Sequence, residues 1–408
     1  MHVPSLLRNR RFDMYWTGVV LSEIGTRGTF VANLFHMYHL TGSTLQTGLI
    51  GLFQAVALIV LSPLGGAWAD RMDRRRLVQA MQAFSLLVSL GLALTTVTGI
   101  IEPWHILLAV LLNSSAETFD RPARQAIIPA LVPRSELVQA FALLNPSREV
   151  AILIGPALSG FLIAGFGPAG MYFADVASFA VLVVVLQFLR IPSQSTTDVK
   201  QESVWHNIKE GFAWLRHRPL ILQLIGLDLS CTLFGAWRVV LPALSIDILH
   251  VGPSGYGILS AAPSVGALVG SALVFRIART ARSGRIVLCT TALYGVATIG
   301  LAQSPVFLAA VLGAAGIGMF DAMHTAIRHA AVQLEVPDAI RGRVTSLYQI
   351  ASRGGPALGD MNIGALAGPL GPVAALSIGG LLPIVAAGAG FAGRLVRDYQ
   401  VPQHESVG

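Results

Sequence analysis

Ionisable side chains recur inside the long apolar stretches of this sequence, where their chemistry is costly to keep. Seven arginines lie within such stretches: Arg27, Arg121, Arg124, Arg148, Arg238, Arg328 and Arg353. Acidic side chains accompany them: Glu23, Glu117, Asp120, Glu149, Asp175, Asp228, Asp321 and Asp360. A charge at the centre of a bilayer costs about 3 kcal/mol on insertion scales. So many charges need partners, water or a ligand, and the group therefore indicates a polar passage.

The arginines are suited to binding an anionic or catechol-type group, because a guanidinium stays charged and offers a planar fork of donors. Some of them lie near the ends of their apolar stretches, where a long side chain reaches the headgroups. The deeper group comprises Arg27, Arg148, Arg238 and Arg353. Aromatic side chains such as Phe30 and Trp237 are candidates for stacking on a flat substrate, with packing or lipid contact as the alternative.

The acidic residues suggest proton exchange, because a buried carboxylate can take up a proton on one side and release it on the other. Glu23, Asp228 and Asp321 are the candidate carriers, and His324 is a candidate partner. Glu23 and Arg27 are four residues apart and can pair on one helix face. For each single residue, an ion pair that only fixes helix packing is the alternative, and the sequence does not select one carrier.

Long apolar stretches position these groups. The chain has 408 residues, 54% of them hydrophobic and 12% charged, whereas about 25% is typical of soluble domains. The apolar runs are continuous rather than alternating, which predicts helices and not a barrel. We expect twelve spans: 12–38, 44–68, 77–99, 103–129, 138–165, 168–190, 217–243, 252–277, 285–303, 305–331, 344–367 and 371–393. The predicted fold class is an all-α polytopic membrane protein.

The basic residues outside the spans follow a regular order. They lie at the termini and at the even-numbered loops, whereas the odd-numbered loops contain no arginine or lysine. Positive loops stay cytoplasmic, so we expect both termini inside. The net charge of +7 is therefore topological and does not indicate nucleic-acid binding.

The two halves of the chain contain similar short sequences. Val132-Pro133 has a counterpart in Val336-Pro337, and Gly155-Pro156-Ala157-Leu158 in Gly355-Pro356-Ala357-Leu358. Phe119-Asp120 similarly matches Phe320-Asp321. We expect six-helix bundles at 1–190 and 217–408, with a cytoplasmic linker at 191–216. Such repeats place a substrate site at their interface, and rocking between them gives alternating access.

The loop after span 2 could form a gate. Its candidate residues are Gly66, Asp70, Arg71, Arg74 and Arg75. Gly66 allows close helix approach. The arginines can bridge to acceptors or helix C-termini across the interface of the halves and hold the inner side shut. A basic loop that only sets topology is the alternative.

This loop resembles the cytoplasmic signature of the major facilitator superfamily, with Asp73 where that family usually has glycine. Phe119 to Ala126, Gly155 to Gly160 and Arg341 to Val344 look like the branch that contains the enterobactin exporter and the macrolide-efflux proteins. The resemblance implies the major facilitator fold and export of a small molecule from a bacterium.

The resemblance also implies positions for the candidate residues. Spans 1, 4, 7 and 10 would line the cavity, so that the cavity candidates Arg27, Glu117 and Arg238 and the proton-coupling candidates face it, with Arg148 and Arg353 flanking. Gly155, Pro156 and Gly160 resemble the helix-5 motif associated with antiporters in the superfamily, where proline kinks the helix. A packing kink is the alternative.

No P-loop, metalloprotease motif or nucleophile triad stands out, so we expect neither an enzyme nor a cofactor or metal site. We expect instead a proton-coupled exporter of a small amphiphilic molecule, either siderophore-like or drug-like. The alternatives are a transporter of lysophospholipid or another lipid, and a membrane receptor or assembly subunit that does not transport.

The expected partners are the small-molecule substrate, H+ as coupling ion and the lipid bilayer, without nucleic acid. We expect a monomer in the bacterial inner membrane.

Overall fold

The computed structural model describes residues 9–189, 204–277 and 282–400. Within these ranges some side chains lie outside the description, among them those of residues 62–71 and of Arg353. The described regular elements are all helical. This agrees with the predicted fold class, because apolar segments in lipid must satisfy their backbone hydrogen bonds internally.

The described residues form two compact units. The first lies within Met1–Gln201 together with Val251–Ala261, and the second within Glu202–His250 and Ala262–Gly408. The first unit contains α1 Arg10–Thr41, α2 Thr44–Arg71, α3 Arg74–Val97, α4 Pro103–Leu131 and α5 Leu137–Phe188. The predicted boundaries of the two halves stay a prediction.

The second unit is also helical. Its helices are α6 Val204–Leu215, α7 Pro219–Leu229, α8 Leu241–Ala243, α10 Ser283–Ala302, α11 Phe307–Glu335, α12 Asp338–Leu370 and α13 Pro372–Ala392. Helix α9, Gly252–Ile277, begins in the first unit and continues in the second. Helix α6 falls inside the stretch that we expected to be a linker.

Predicted spans 5 and 6 share the long helix α5. Gly167 interrupts it with φ 69° and ψ −179°, a left-handed conformation that glycine adopts without strain. Pro168 then starts the following helix with its φ already suitable. The interruption falls between the predicted spans 138–165 and 168–190.

Predicted span 7 is irregular in the structure. After α7 the chain forms π-helical turns at Ser230–Phe234 and Leu244–Ile248, with a 3-10 turn at Arg238–Val240 between them. Such π turns are frequent at functional sites. This segment carries Trp237 and Arg238, two of the cavity candidates.

Eight described segments are long and apolar enough to cross a membrane: Thr44–Leu61, Arg74–Val97, Arg134–Phe188, Pro219–Ile248, Gly252–Val274, Ser283–Ala302, Phe307–Glu335 and Pro372–Ala392. Arg134–Phe188 covers two predicted spans. Helices α1, α4 and α12 do not meet these limits, and they carry many of the internal charges. The number of twelve crossing helices therefore stays a prediction.

Apolar packing orients the charged helices of the first unit. Phe12 and Tyr15 of α1 are buried with Leu77 of α3, Ile127 of α4 and Leu186 of α5. This cluster lies toward the beginning of α1 and the end of α4. It therefore sets the depth and rotation of the helices that carry Glu23 and Arg124.

Candidate functional site

Arg124 of α4 is the centre of an ionic network in the first unit. Its Nη1 lies 3.4 Å from Glu23 Oε1 of α1, and its Nε lies 2.5 Å from Asp120 Oδ2 one turn earlier. Its Nη2 donates to Ser22 Oγ at 3.2 Å. The guanidinium thus joins α1 to α4 inside the unit.

Two further arginines pair with acids in this network. Arg27 Nη2 lies 3.6 Å from Glu23 Oε2, so the pair predicted from the four-residue spacing is present. Arg121 Nη2 lies 2.5 Å from Glu117 Oε1. Glu23 is therefore shared between Arg27 and Arg124.

Two cavities meet at this network. The first, which we call the arginine cavity, encloses about 730 Å³ including its open mouth and is lined partly by Tyr15, Phe141 and Arg148. The second, the amide chamber, encloses about 700 Å³ including its mouth. Both cavities are lined by Glu23, Arg121 and Arg124. The ionic network therefore lies on the wall between the two spaces.

Arg148 is the least neutralised cation of the arginine cavity. It is exposed on α5, and among the described residues no acidic side chain lies within ion-pairing distance of it. Glu149 is exposed as well but does not line this cavity. The cavity thus contains a guanidinium without an ion pair, and its wall also includes the rings of Tyr15 and Phe141.

The amide chamber is lined by polar residues of all five helices of the first unit. They include Asn33 of α1, Gln54 of α2, Gln82 of α3, Asn113 of α4 and Asp175 of α5. Phe30, a predicted stacking residue, lines this chamber.

A similar network occupies the second unit. Arg328 Nη1 of α11 lies 2.5 Å from Asp228 Oδ1 of α7, and both side chains are almost fully buried. Arg328 Nε donates to Tyr348 Oη at 2.5 Å, and Nη1 lies 3.4 Å from His324 Nδ1. The ion pair satisfies two charges that would be costly if separated.

Asp321 and His324 differ in exposure although they share a stripe of α11. His324 Nε2 lies 3.3 Å from Asp321 Oδ1, and the side chain of Asp321 is 50% exposed whereas that of His324 is 2% exposed. The histidine therefore connects an accessible carboxylate to the buried Arg328.

Arg238 pairs with an acid that sequence reasoning left unassigned. Its Nη2 donates to Asp360 Oδ2 at 2.7 Å, and the Asp360 side chain is fully buried. Trp237 precedes it and is half-buried. Arg353 lies on α12, but its side chain is outside the described residues.

The gate-loop candidates are only partly described. Gly66, Asp70 and Arg71 lie in the part of α2 whose side chains are outside the description. Arg74 Nη1 donates to Ala126 O at 3.3 Å. Arg75 donates to Leu186 O at 2.6 Å and, through Nη2, to Gln187 O at 2.9 Å. These bonds stay within the first unit and cap the C-terminus of α5, so the latch between halves stays a prediction.

The helix-5 candidates lie at close helix contacts. A Cβ on Gly155 would lie 2.7 Å from Arg27 Cβ and 2.9 Å from the backbone nitrogen of Gly28. A Cβ on Gly160 would lie 2.8 Å from Pro253 O. Pro156 lies within α5 between them. These glycines therefore act as packing residues, whatever their bearing on transport direction.

Several connected residues were not singled out from the sequence. Tyr15 Oη donates to Arg124 O at 2.9 Å, and Ser89 Oγ donates to Asp175 Oδ2 at 2.9 Å. Tyr348 contacts Arg328. Isolated serines and tyrosines carry no spacing signal, so only their tertiary position reveals the connection.

Among the described residues, no group of three or more His, Cys, Asp or Glu side chains could hold a metal ion. Cys231 is buried and Cys289 is exposed, and both are free thiols.

Residues 3–406 match the family described as "Transmembrane secretion effector". An enterobactin exporter, EntS, from Citrobacter koseri is 29% identical over 364 residues, which are 89% of this chain and 86% of that protein. The EntS of Shigella boydii serotype 18 is 28% identical over 363 residues, with the same coverage of both chains.

Solved transporters share the fold. The crystal structure of the nucleoside transporter NupG matches with a TM-score of 0.73 and 16% identity, covering 96% of this chain and 100% of that one. A bacterial homologue of the human lysosomal transporter Spinster matches with a TM-score of 0.76 and 15% identity, covering 98% of each chain. At these identities the likeness concerns the fold alone.

Proposed function

This chain belongs to the transmembrane secretion effector family of major facilitator transporters, and we propose that it exports a small amphiphilic, siderophore-like molecule in exchange for protons. The chain is a multi-pass membrane transporter and not an enzyme. The proposal concerns its substrate, its coupling ion and its direction.

The arginine cavity carries the substrate proposal. Arg148 brings an unpaired guanidinium to a space of about 730 Å³ that is also lined by two aromatic rings. An anionic or catechol group would accept hydrogen bonds from this fork, and the apolar part of the molecule would contact Phe141, which is exposed. The similarity to enterobactin exporters over most of the chain supports the same class.

Glu23 is the favoured proton carrier. It lines both cavities of the first unit, and its side chain is 20% exposed. Protonation would neutralise Glu23 and release Arg124 and Arg27 from it, and this change of charge would couple the network to the proton. Asp321 with His324 is the corresponding candidate in the second unit, because Asp228 is committed to Arg328.

Alternating access would connect substrate export with proton uptake. The bilayer environment would be the bacterial inner membrane, with both termini in the cytoplasm and the protein acting as a monomer. Release of substrate outward and of protons inward would then use the same cavity in turn.

The substrate proposal is tested in inside-out vesicles that contain the full chain. Uptake of enterobactin would be compared for the native protein, Arg148→Gln and the control Arg134→Gln. Arg134 is an exposed arginine outside both cavities. We expect Arg148→Gln to reduce uptake at least tenfold at low substrate and the control to leave it unchanged. Uptake of lysophospholipid but not of enterobactin would contradict the proposed substrate class.

Coupling is tested in the same vesicles with and without a pH gradient. We expect the gradient to drive uptake in the native protein and in the control Glu149→Gln, and to lose its effect in Glu23→Gln. Asp321→Asn tests the second-unit candidate. Equal uptake with and without the gradient in the native protein would exclude proton antiport.

A further inference from the structure

The amide chamber has an unusual set of buried acceptors. Asn33 Oδ1, Asn113 Oδ1 and Asp120 Oδ1 are buried, and no donor from the described residues forms a hydrogen bond with them. All three residues line the chamber, and the side chains of Asn33 and Asp120 are at least nine-tenths buried. Buried oxygen atoms normally have a partner, which is a protein donor, an ordered water or an ion.

One carboxylate of the chamber wall lacks the ion pair that the others have among the described residues. Its wall carries Glu23, Glu117, Asp120 and Asp175. Arg121 pairs with Glu117, while Arg124 and Arg27 pair with Asp120 and Glu23. Three of the four acids are therefore ion-paired, and the fourth has no arginine partner among the described residues.

The remaining carboxylate is Asp175. Its side chain is 1% exposed, and among the described residues no arginine, lysine or histidine lies within ion-pairing distance of it. Its partners are neutral hydroxyls: Ser89 donates to Oδ2 at 2.9 Å and Ser178 donates to Oδ1 at 3.4 Å. A buried carboxylate in a membrane segment is costly unless a positive charge accompanies it or a proton neutralises it.

Helix α1 passes close to this carboxylate because of Gly25. A Cβ at position 25 would lie 2.6 Å from Asp175 Oδ1. Asn33 lies eight residues further along α1, and it lines the same chamber as Asp175. The oxygen atoms of several helices thus surround one space.

We propose that the amide chamber binds one monovalent alkali cation, with Asp175 as the charged ligand and the amide oxygens of Asn33 and Asn113 among the neutral ones. Hard cations prefer oxygen ligands, and a single positive charge matches the single carboxylate of the wall that has no ion pair among the described residues. A divalent ion is disfavoured, because the other carboxylates of the wall are already paired with arginines. The proposal does not depend on the proposed export function, since binding can be measured without substrate.

The test uses the purified full chain in lipid nanodiscs, with sodium as the probe. Thermal unfolding is followed while choline chloride is replaced by sodium chloride at constant ionic strength, and binding of radioactive sodium is measured in parallel. The variants are Asp175→Asn and Asn113→Ala, and Glu149→Gln is the control carboxylate outside the chamber. Asn113 is only partly buried, so its variant tests the proposal if Asp175→Asn does not fold.

We expect a saturable rise in unfolding temperature with sodium in the native protein and the control. The rise should be lost in Asp175→Asn and should need a several-fold higher sodium concentration in Asn113→Ala. No difference between sodium and choline in the native protein would overturn the proposal, as would the same sodium effect in both chamber variants. A response to pH alone would assign the balancing charge to a proton and would also overturn it.

Discussion

Arg124 and Arg328 hold corresponding sets of contacts in the two units. Each forms an ion pair with a carboxylate on the first predicted span of its half, Glu23 for Arg124 and Asp228 for Arg328. Each also contacts the side chain four residues earlier on its own helix, Asp120 or His324. The internal repeat of the sequence therefore reappears as a repeated ionic network.

The repeated ionic network differs between the units at one position, where one unit has a carboxylate and the other an imidazole. Asp120 in the first unit corresponds by contact to His324 in the second. The shared dipeptide Phe-Asp would instead align Asp120 with Asp321. The contacts agree instead with the alignment of Val132-Pro133 on Val336-Pro337, which pairs Asp120 with His324. The depth of a helix, and not a shared dipeptide, decides which side chains meet.

The buried pair of the second unit should be essential for stability. Asp228→Asn removes the charge opposite Arg328 and leaves a buried guanidinium uncompensated, which should cost about 3 kcal/mol. Thermal unfolding of the purified protein measures this. Asp321→Asn, at a half-exposed carboxylate, should change stability by only about 0.5 kcal/mol. A similar loss of stability in both variants would contradict the structural role of the Asp228–Arg328 pair.

Replacing both partners provides a second test of that pair. The double variant Asp228→Leu with Arg328→Met should recover most of the stability, because an apolar pair leaves no unpaired charge. The measurement is the same unfolding experiment. Failure of the double variant to exceed either single variant would show that the network has a structural role beyond charge balance.

Gly155 should not tolerate a side chain. In Gly155→Ala the new Cβ would meet Arg27 Cβ at 2.7 Å, and separating α1 from α5 should cost about 1–3 kcal/mol. Gly165 lies on the same helix with no atom within 4 Å of its ideal Cβ. Gly165→Ala should therefore be neutral or stabilise by roughly 0.5–1 kcal/mol. Unfolding temperatures in nanodiscs compare the two, and equal effects would argue against the close contact.

Arg75 should stabilise the first unit through helix capping. Arg75→Gln removes donors from Leu186 O and Gln187 O at the C-terminus of α5, which should cost about 1–2 kcal/mol. Arg76 is exposed on the same turn and provides the control Arg76→Gln. If Arg76→Gln destabilised the protein as much as Arg75→Gln, a general charge effect would replace capping as the explanation.

Both termini should lie in the cytoplasm. A fluorescent protein fused after Gly408 should therefore fluoresce, and alkaline phosphatase fused there should be inactive. In the loop at Glu102, between predicted spans 3 and 4, the fluorescent protein should be dark and the phosphatase active. Phosphatase activity at the C-terminus would contradict the predicted orientation.

The predictable part of the fold rested on local properties. Continuous apolar runs indicated helices, Gly167 and Pro168 marked the break in α5, and the spacing of Glu23 and Arg27 predicted their pair. These signals involve residues within a few positions of one another. A helix α6 in the expected linker was missed, because its amphipathic stretch is too short and too polar for a membrane span.

The partners of the long-range contacts were not predictable in the same way. Nothing in the sequence indicated that Arg238 pairs with Asp360 or that Arg124 contacts Glu23. Such pairs depend on how deeply each helix lies and how far it is rotated. Those quantities follow from apolar packing such as that of Phe12, Tyr15 and Ile127.

By itself, the sequence predicted a helical membrane protein with ionic groups in its apolar segments, because hydropathy and charge are read along the chain. Its resemblance to the major facilitator superfamily added the prediction of a transporter. The tertiary structure alone decided which of those groups neutralise each other and that Asp175 is left over in a chamber of unpartnered oxygens. The physical reason is that an ion pair or a cavity wall is formed by side chains from different helices, brought together only when those helices pack.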